Sequence, residues 1–134
     1  MTIAAMAVWI ITVIIGAYLL AAGITTGHRQ AAAGTGEAAA GHPLLEFCHP
    51  ALGVIGLMFW IFFVVTSHPA FAWIAVGVLA VTALAGITWL ISGIRERRAR
   101  VPSGPVFPRH LVLLHGLAVA CTFTLVLIAA TGHG

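Results

Sequence analysis

The sequence predicts an all-α fold, an integral membrane four-helix bundle, from its composition and from the spacing of its apolar stretches. Hydrophobic residues make up 61% of the 134 positions and charged residues only 7%, and the mean hydropathy is +1.12. A soluble domain carries about 25% charged residues. Neither Lys nor Asp occurs, and the charge comes from Arg and Glu alone. These features predict a chain embedded in a lipid bilayer.

Four apolar stretches each have close to the roughly 20 residues that a 30 Å hydrocarbon core requires. They cover residues 3–24, 44–66, 71–94 and 111–131. Between them lie a polar Gly/Ala-rich loop at 25–41, a very tight Ser-His-Pro turn at 67–69, and a basic, Pro-containing loop at 95–109. The sequence shows neither a soluble domain nor an internal repeat, so residues 1–134 are expected to form a single four-span transmembrane domain.

The arginines predict the orientation of the bundle. The first stretch has no basic residue before its apolar run, so we interpret it as a true span rather than a cleaved signal peptide. Arg29 lies in the first loop, the other five arginines lie in or beside the third, and the tight second turn has none. Cytoplasmic loops are enriched in Arg and Lys. We therefore expect both termini on the outer side of a bacterial cytoplasmic (inner) membrane.

Two histidines are predicted to lie at the same depth in this bundle. Pro43 and Pro108 are placed to begin the second and fourth helices, because Pro is preferred in the first helical turn. His49 and His115 follow them by six and seven residues, or roughly 10 Å at 1.5 Å per residue. If regular helix began only at His49, that residue would be shallower and the match would weaken.

A polar and then small-residue stripe marks one face of the second helix. At 100° per residue the stripe is about 80° wide, and it consists of His42, Glu46, His49, Gly53, Gly56 and Trp60. Such a stripe on an otherwise apolar helix points to the bundle interior, where Gly lets a flat group or another backbone approach. On the fourth helix Gly116 is adjacent to His115. His110 and Arg109 lie near the membrane surface.

The two histidines fit haem better than other metal groups. Zinc prefers four ligands, whereas the sequence offers only Cys48 and Glu46 near the pair. Copper favours more sulfur than is nearby. Haem requires two axial imidazoles, an apolar slot and cations near its propionates. Arg109, His42 and His110 are candidates for the propionates, together with arginines of the third loop. Bis-histidine haem suits electron transfer because no axial position is open.

Two short motifs resemble those of the four-helix, bis-histidine membrane cytochromes b, a group that includes membrane anchors of dehydrogenases and hydrogenases. They are His49-Pro50 followed by Gly53 and Gly56, and His115-Gly116. The resemblance covers the second and fourth helices only. It implies one haem b held by His49 and His115, and electron transfer with quinone as a candidate partner. The outer side offers only His68 and His133, which are not a second matched pair.

Other interpretations remain open at this point. An intramembrane histidine often serves as an interhelical hydrogen-bonding residue, so the chain could be a cofactor-free accessory or scaffold subunit of a larger membrane complex. Transport or proton relay involving Glu46 is a third alternative. The expected partners are membrane lipids and other subunits of a redox complex, and not nucleic acid. The cysteines, Cys48 and Cys121, are expected to be small buried residues too far apart for a disulfide.

Overall fold

The protein is all-α in the part of the chain that the structure describes. The computed structural model describes residues 1–32, 43–99 and 109–132. It contains α1 (Thr2–Ala32), α2 (Pro43–Thr66), α3 (Pro69–Ala99) and α4 (Arg109–Thr131). Each helix includes a segment long and apolar enough to cross a membrane. The prediction of four helices, each long and apolar enough to span a membrane, is thereby confirmed.

Two helices begin at a proline, and the sequence predicted one of these starts, at Pro43. α2 begins at Pro43 and α3 at Pro69, while α4 begins at the residue after Pro108. Pro at a helix start costs no hydrogen bond, because the first N–H groups have no partner within the helix. Pro50 lies inside α2, so the alternative in which regular helix begins only at His49 is wrong.

A two-residue turn joins α2 to α3, as predicted. Ser67 takes a left-handed backbone conformation with φ of 55°, and its N–H donates to the Phe63 carbonyl over 2.8 Å. The Ala70 N–H donates to Nδ1 of His68 over 3.4 Å, so the histidine helps to cap the start of α3. This turn forces α2 and α3 into an antiparallel hairpin.

The four helices pack in a ring in which each is antiparallel to its two neighbours. α1 and α3 each pack against both α2 and α4. The direction of α2 relative to α1 follows from two indole hydrogen bonds: Trp9 donates to the Gly53 carbonyl and Trp60 to the Thr2 carbonyl, each over 3.2 Å. α2 and α4 therefore lie diagonally opposite, across the bundle interior.

The buried core is small and much of the apolar surface faces outward. The core is centred on Trp9 and Trp60, whose rings are 6.4 Å apart, with alanines from α1, α3 and α4 around them. Large aliphatic side chains such as Val65 and Leu113 are about three-quarters exposed. Exposed apolar surface on this scale is costly in water and is satisfied by lipid tails.

Candidate functional site

The site forms where His49 of α2 and His115 of α4 meet across the bundle interior. Their ring centroids lie 6.3 Å apart and their planes are inclined by 78°. Both residues are partly buried. The prediction that the two imidazoles reach the same level is therefore confirmed. Because they come from diagonal helices, the pair connects opposite sides of the ring of helices.

His49 is held by the main chain of α3. Its Nδ1 lies 2.9 Å from the carbonyl oxygen of Thr82. A carbonyl only accepts, so Nδ1 carries the proton in this hydrogen bond and the lone pair of the neutral ring is on Nε2. This is the arrangement that metal-ligating histidines use, since an N–H···O=C bond on one ring nitrogen orients the other toward the metal.

His115 is held less completely. Its ring lies beside the main chain of Thr12 in α1, but its Nδ1 is buried and has no hydrogen-bond partner. A buried polar nitrogen without a partner is unfavourable. The two imidazoles are thus alike in position but differ in their hydrogen bonding.

A glycine lies directly behind each imidazole. A Cβ built on Gly86 would lie 2.8 Å from Cε1 of His49, and one built on Gly16 would lie 3.0 Å from Cε1 of His115. Real Cβ atoms essentially never show a contact as short as the one at Gly86, and the one at Gly16 is tighter than nine in ten real Cβ contacts. The missing side chains at these two positions therefore make room for the rings.

A pair of buried threonines joins α1 to α4 in the layer next to His115. The hydroxyl oxygens of Thr12 and Thr122 are 3.0 Å apart, and each is also 2.8 Å from a carbonyl of its own helix, Val8 and Ala118 respectively. Each hydroxyl has one proton. One threonine can therefore donate to the other while that other donates back to its own helix.

The glycines predicted to face a cofactor have different surroundings. Gly53 is buried, yet nothing lies within 4 Å of the position that its Cβ would occupy, so there is open space one turn beyond His49. The notch at Gly56 is filled by the indole of Trp9, 2.8 Å from a built Cβ. Gly116 is exposed on α4 with nothing within 4 Å.

The structure describes only some of the polar side chains predicted near the membrane surface. His110 is exposed in the first turn of α4. Arg109 is the first residue of that helix, and its side chain lies outside the described residues, as does the whole of His42. The side chain of Glu46 also lies outside them.

The expectation that both cysteines are buried is wrong: Cys48 and Cys121 are exposed on the bundle surface. Small apolar side chains need not be buried against protein when the surrounding solvent is lipid. Among the described residues, no three His, Cys, Asp or Glu side chains form a group that could hold a metal ion. A metallocofactor between the two imidazoles would thus draw on two protein ligands.

Sequence reasoning missed the residues that support the two rings. They are the glycines behind the rings and the threonines one turn earlier, namely Gly16, Gly86, Thr12 and Thr82. Their signal was present: a Thr and a Gly four residues apart occur in both the first and the third apolar stretch. Residues four apart share a helix face.

Comparisons with known proteins give no further guide to this site. The chain matches no family model, and no curated protein or solved structure is detectably similar to it.

Proposed function

We propose that the protein binds one haem b between His49 and His115 and passes electrons within the membrane, as a subunit of a respiratory or other redox complex. The observation that carries the proposal is the meeting of two partly buried imidazoles, 6.3 Å between centroids, in an apolar bundle. The resemblance of the two motifs to membrane cytochromes b points to the same group.

The separation of the rings suits a metal between them. A metal–nitrogen bond to histidine is about 2.0–2.1 Å long, and the centre of an imidazole lies about 1.1 Å beyond its nitrogen, since ring bonds are about 1.3–1.4 Å. Two imidazoles that each turned Nε2 toward one shared metal would have centroids about 6.2–6.4 Å apart. The observed separation of 6.3 Å falls within that interval.

The residues around the rings also fit such a group. His49 keeps Nε2 free for ligation because its Nδ1 is bonded to the Thr82 carbonyl. The open space at Gly53 lies one turn beyond it. His110, His42 and Arg109 are candidates to meet the propionates at the membrane surface. Gly116 and Gly56 are the remaining glycines of the two motifs, although Trp9 covers Gly56.

When bound, a six-coordinate haem supplies one-electron transfer without an open site for oxygen. The chain would ligate it, bury it and set the local polarity. Lipid surrounds the bundle, and a second subunit or quinone would exchange electrons with it. Both termini would face the outer side of a bacterial cytoplasmic membrane, with the arginine-containing loops inside.

An absorption spectrum of detergent-purified protein, produced with adequate haem supply, tests the proposal. We expect a Soret band and sharp α and β bands on reduction. His49→Ala and His115→Ala should each abolish these bands or convert them to a high-spin form. His68→Ala is the matched control, since His68 lies exposed in the turn between α2 and α3.

Contacts between helices support the alternative that the protein is a cofactor-free scaffold subunit. The His49–Thr82 and Thr12–Thr122 contacts join neighbouring helices without any cofactor, and interhelical polar contacts stabilise membrane bundles. A colourless protein that co-purifies with a larger membrane assembly would support the scaffold and contradict the haem proposal.

The proposed orientation is tested separately. Reporter domains fused to the amino and carboxyl termini should be active only on the outer side of the membrane. Reporters inserted between α1 and α2, after Ala32, should be active only inside. The opposite pattern would contradict the orientation and leave the haem proposal standing.

A further inference from the structure

α1 and α3 carry the same pattern of residues 70 positions apart. Thr12 corresponds to Thr82 and Gly16 to Gly86. Over residues 3–18 and 73–88, 15 of the 16 aligned pairs share the same class of burial, and only the pair at 10 and 80 differs. The two helices therefore present corresponding faces to the bundle interior.

α2 and α4 correspond in the same way, at an offset of 66 positions. Pro43 and Arg109, the first residues of the two helices, are aligned by this offset, and so are His49 and His115. Over residues 49–66 and 115–132, 15 of the 18 aligned pairs share the same class of burial. The chain therefore consists of two similar hairpins, α1–α2 and α3–α4.

The contacts of the two histidines follow this relation. His49 of the first hairpin lies against Gly86 of the second, with Cε1, Nδ1 and Nε2 at 2.8, 3.3 and 3.5 Å from a built Cβ. His115 of the second hairpin lies against Gly16 of the first, and the same three atoms are at 3.0, 3.6 and 3.7 Å in the same order. Each hairpin thus supplies one imidazole and the support for the other.

Residue identity explains why no repeat is apparent in the sequence. At corresponding positions of the core, Trp9 is replaced by Leu79, Gly56 by Thr122 and Trp60 by Val126. The two tryptophans of the first hairpin correspond to smaller residues in the second, whereas Gly56 corresponds to a larger one. The two halves therefore share register and site residues rather than overall residue identity.

We infer that the bundle is a two-fold repeat of one hairpin, in which Gly16 and Gly86 are positioning residues for the imidazole of the opposite hairpin. Each glycine lies one turn after the threonine whose main chain is beside that same ring, Thr12 for His115 and Thr82 for His49. The glycine fixes how closely each ring approaches, and for His49 the Thr82 carbonyl also sets the rotation of the ring. These glycine–imidazole contacts do not depend on a cofactor. Under the proposed function they would orient both histidines that hold the haem.

Three single variants test the inference: Gly86→Ala, Gly16→Ala and, as the matched control, Gly77→Ala. Gly77 also lies in α3, and nothing is within 4 Å of its Cβ position. The first readout is NMR of protein labelled with ¹⁵N-histidine and prepared without haem. Gly86→Ala should shift the ring resonances of His49 most, Gly16→Ala those of His115 most, and Gly77→Ala neither.

Unfolding in detergent gives the second readout. Relative to Gly77→Ala, Gly86→Ala should lower the ratio of folded to unfolded protein by a factor of about 5–30, because the added methyl overpacks the His49 ring. In a His49→Ala background Gly86→Ala should have the same effect as Gly77→Ala, since the ring that the new methyl would meet is gone. This double variant keeps the test valid even where Gly86→Ala alone fails to fold.

The inference is overturned if Gly86→Ala and Gly77→Ala behave alike, or if the effect of Gly86→Ala persists without the His49 ring. A wild-type protein that binds no haem would contradict the proposed function only, because both readouts use protein without haem. In haem-loaded protein the site variants should broaden or shift the reduced α band, and the control should not.

Discussion

Replacing Gly56 by Ala places a methyl group against the indole of Trp9. The new Cβ would lie 2.8 Å from Cζ2 and 3.2 Å from Cη2 of that ring, and 3.3 Å from Cγ1 of Val78. Trp9 is 1% exposed, and its Nε1 donates to the Gly53 carbonyl. The indole cannot move aside without weakening this hydrogen bond and disturbing the core.

Two opposing effects determine how much Gly56→Ala changes the free energy of unfolding. Overpacking a well-packed core costs about 1–3 kcal/mol, whereas Gly→Ala inside a helix gains about 0.5–1 kcal/mol. Gly77→Ala gains the same helix term but meets nothing within 4 Å. The free energies of unfolding of the two variants should therefore differ by about 1–3 kcal/mol, with Gly56→Ala the less stable.

The assay is reversible unfolding in mixed micelles with increasing denaturing detergent, followed by tryptophan fluorescence. The signal sums the buried Trp9 and Trp60 with the exposed Trp73 and Trp89, and exposure of the two core residues on unfolding changes the total emission. Equal stability of the Gly56→Ala and Gly77→Ala proteins, or a more stable Gly56→Ala protein, would refute the reasoning that Trp9 occupies this notch.

Two further predictions concern polar groups and aromatic residues in the bundle. A double-mutant cycle of Thr12→Val and Thr122→Val should give a coupling energy of about 0.6 kcal/mol and not above about 1.7, the range found for interhelical hydrogen bonds in membranes; no coupling would contradict a shared hydrogen bond. Trp60→Phe should destabilise the protein by about 1–3 kcal/mol because it removes buried area and the bond to the Thr2 carbonyl, whereas Trp73→Phe should stay within about 0.5 kcal/mol. Trp60 is fully buried and Trp73 is 48% exposed, so similar effects on the unfolding midpoint would contradict this assignment of the core.

The spans were predictable from the sequence because bilayer thickness fixes the length of an apolar stretch and Pro marks a helix start. The meeting of His49 and His115 was predictable in a similar way. Counting residues from Pro43 and Pro108 gives the depth of each histidine in the bilayer. Equal depth, together with a polar stripe that faces the bundle interior, then predicts that the two rings lie close together. The tight turn at 67–69 then required α2 and α3 to be antiparallel.

The supports of the rings were not predictable in this way. Whether Gly16 faces His115 depends on which helices are neighbours and on their relative rotation, and neither follows from hydropathy. The same holds for Gly56. The sequence predicted that a flat group would approach this glycine closely, but it did not predict that the group is the indole of Trp9. The burial of Cys48 was predicted wrongly because an apolar side chain has no preference between protein interior and lipid.

The most direct test of a haem held by both histidines is chemical rescue. Purified wild-type protein should bind one haem per chain with a low-spin, six-coordinate spectrum. His49→Gly and His115→Gly should each lose that spectrum, and added imidazole should restore it by filling the space left by the missing ring. A wild-type protein that takes up no haem, or two glycine variants whose spectra equal that of the wild type, would contradict the account.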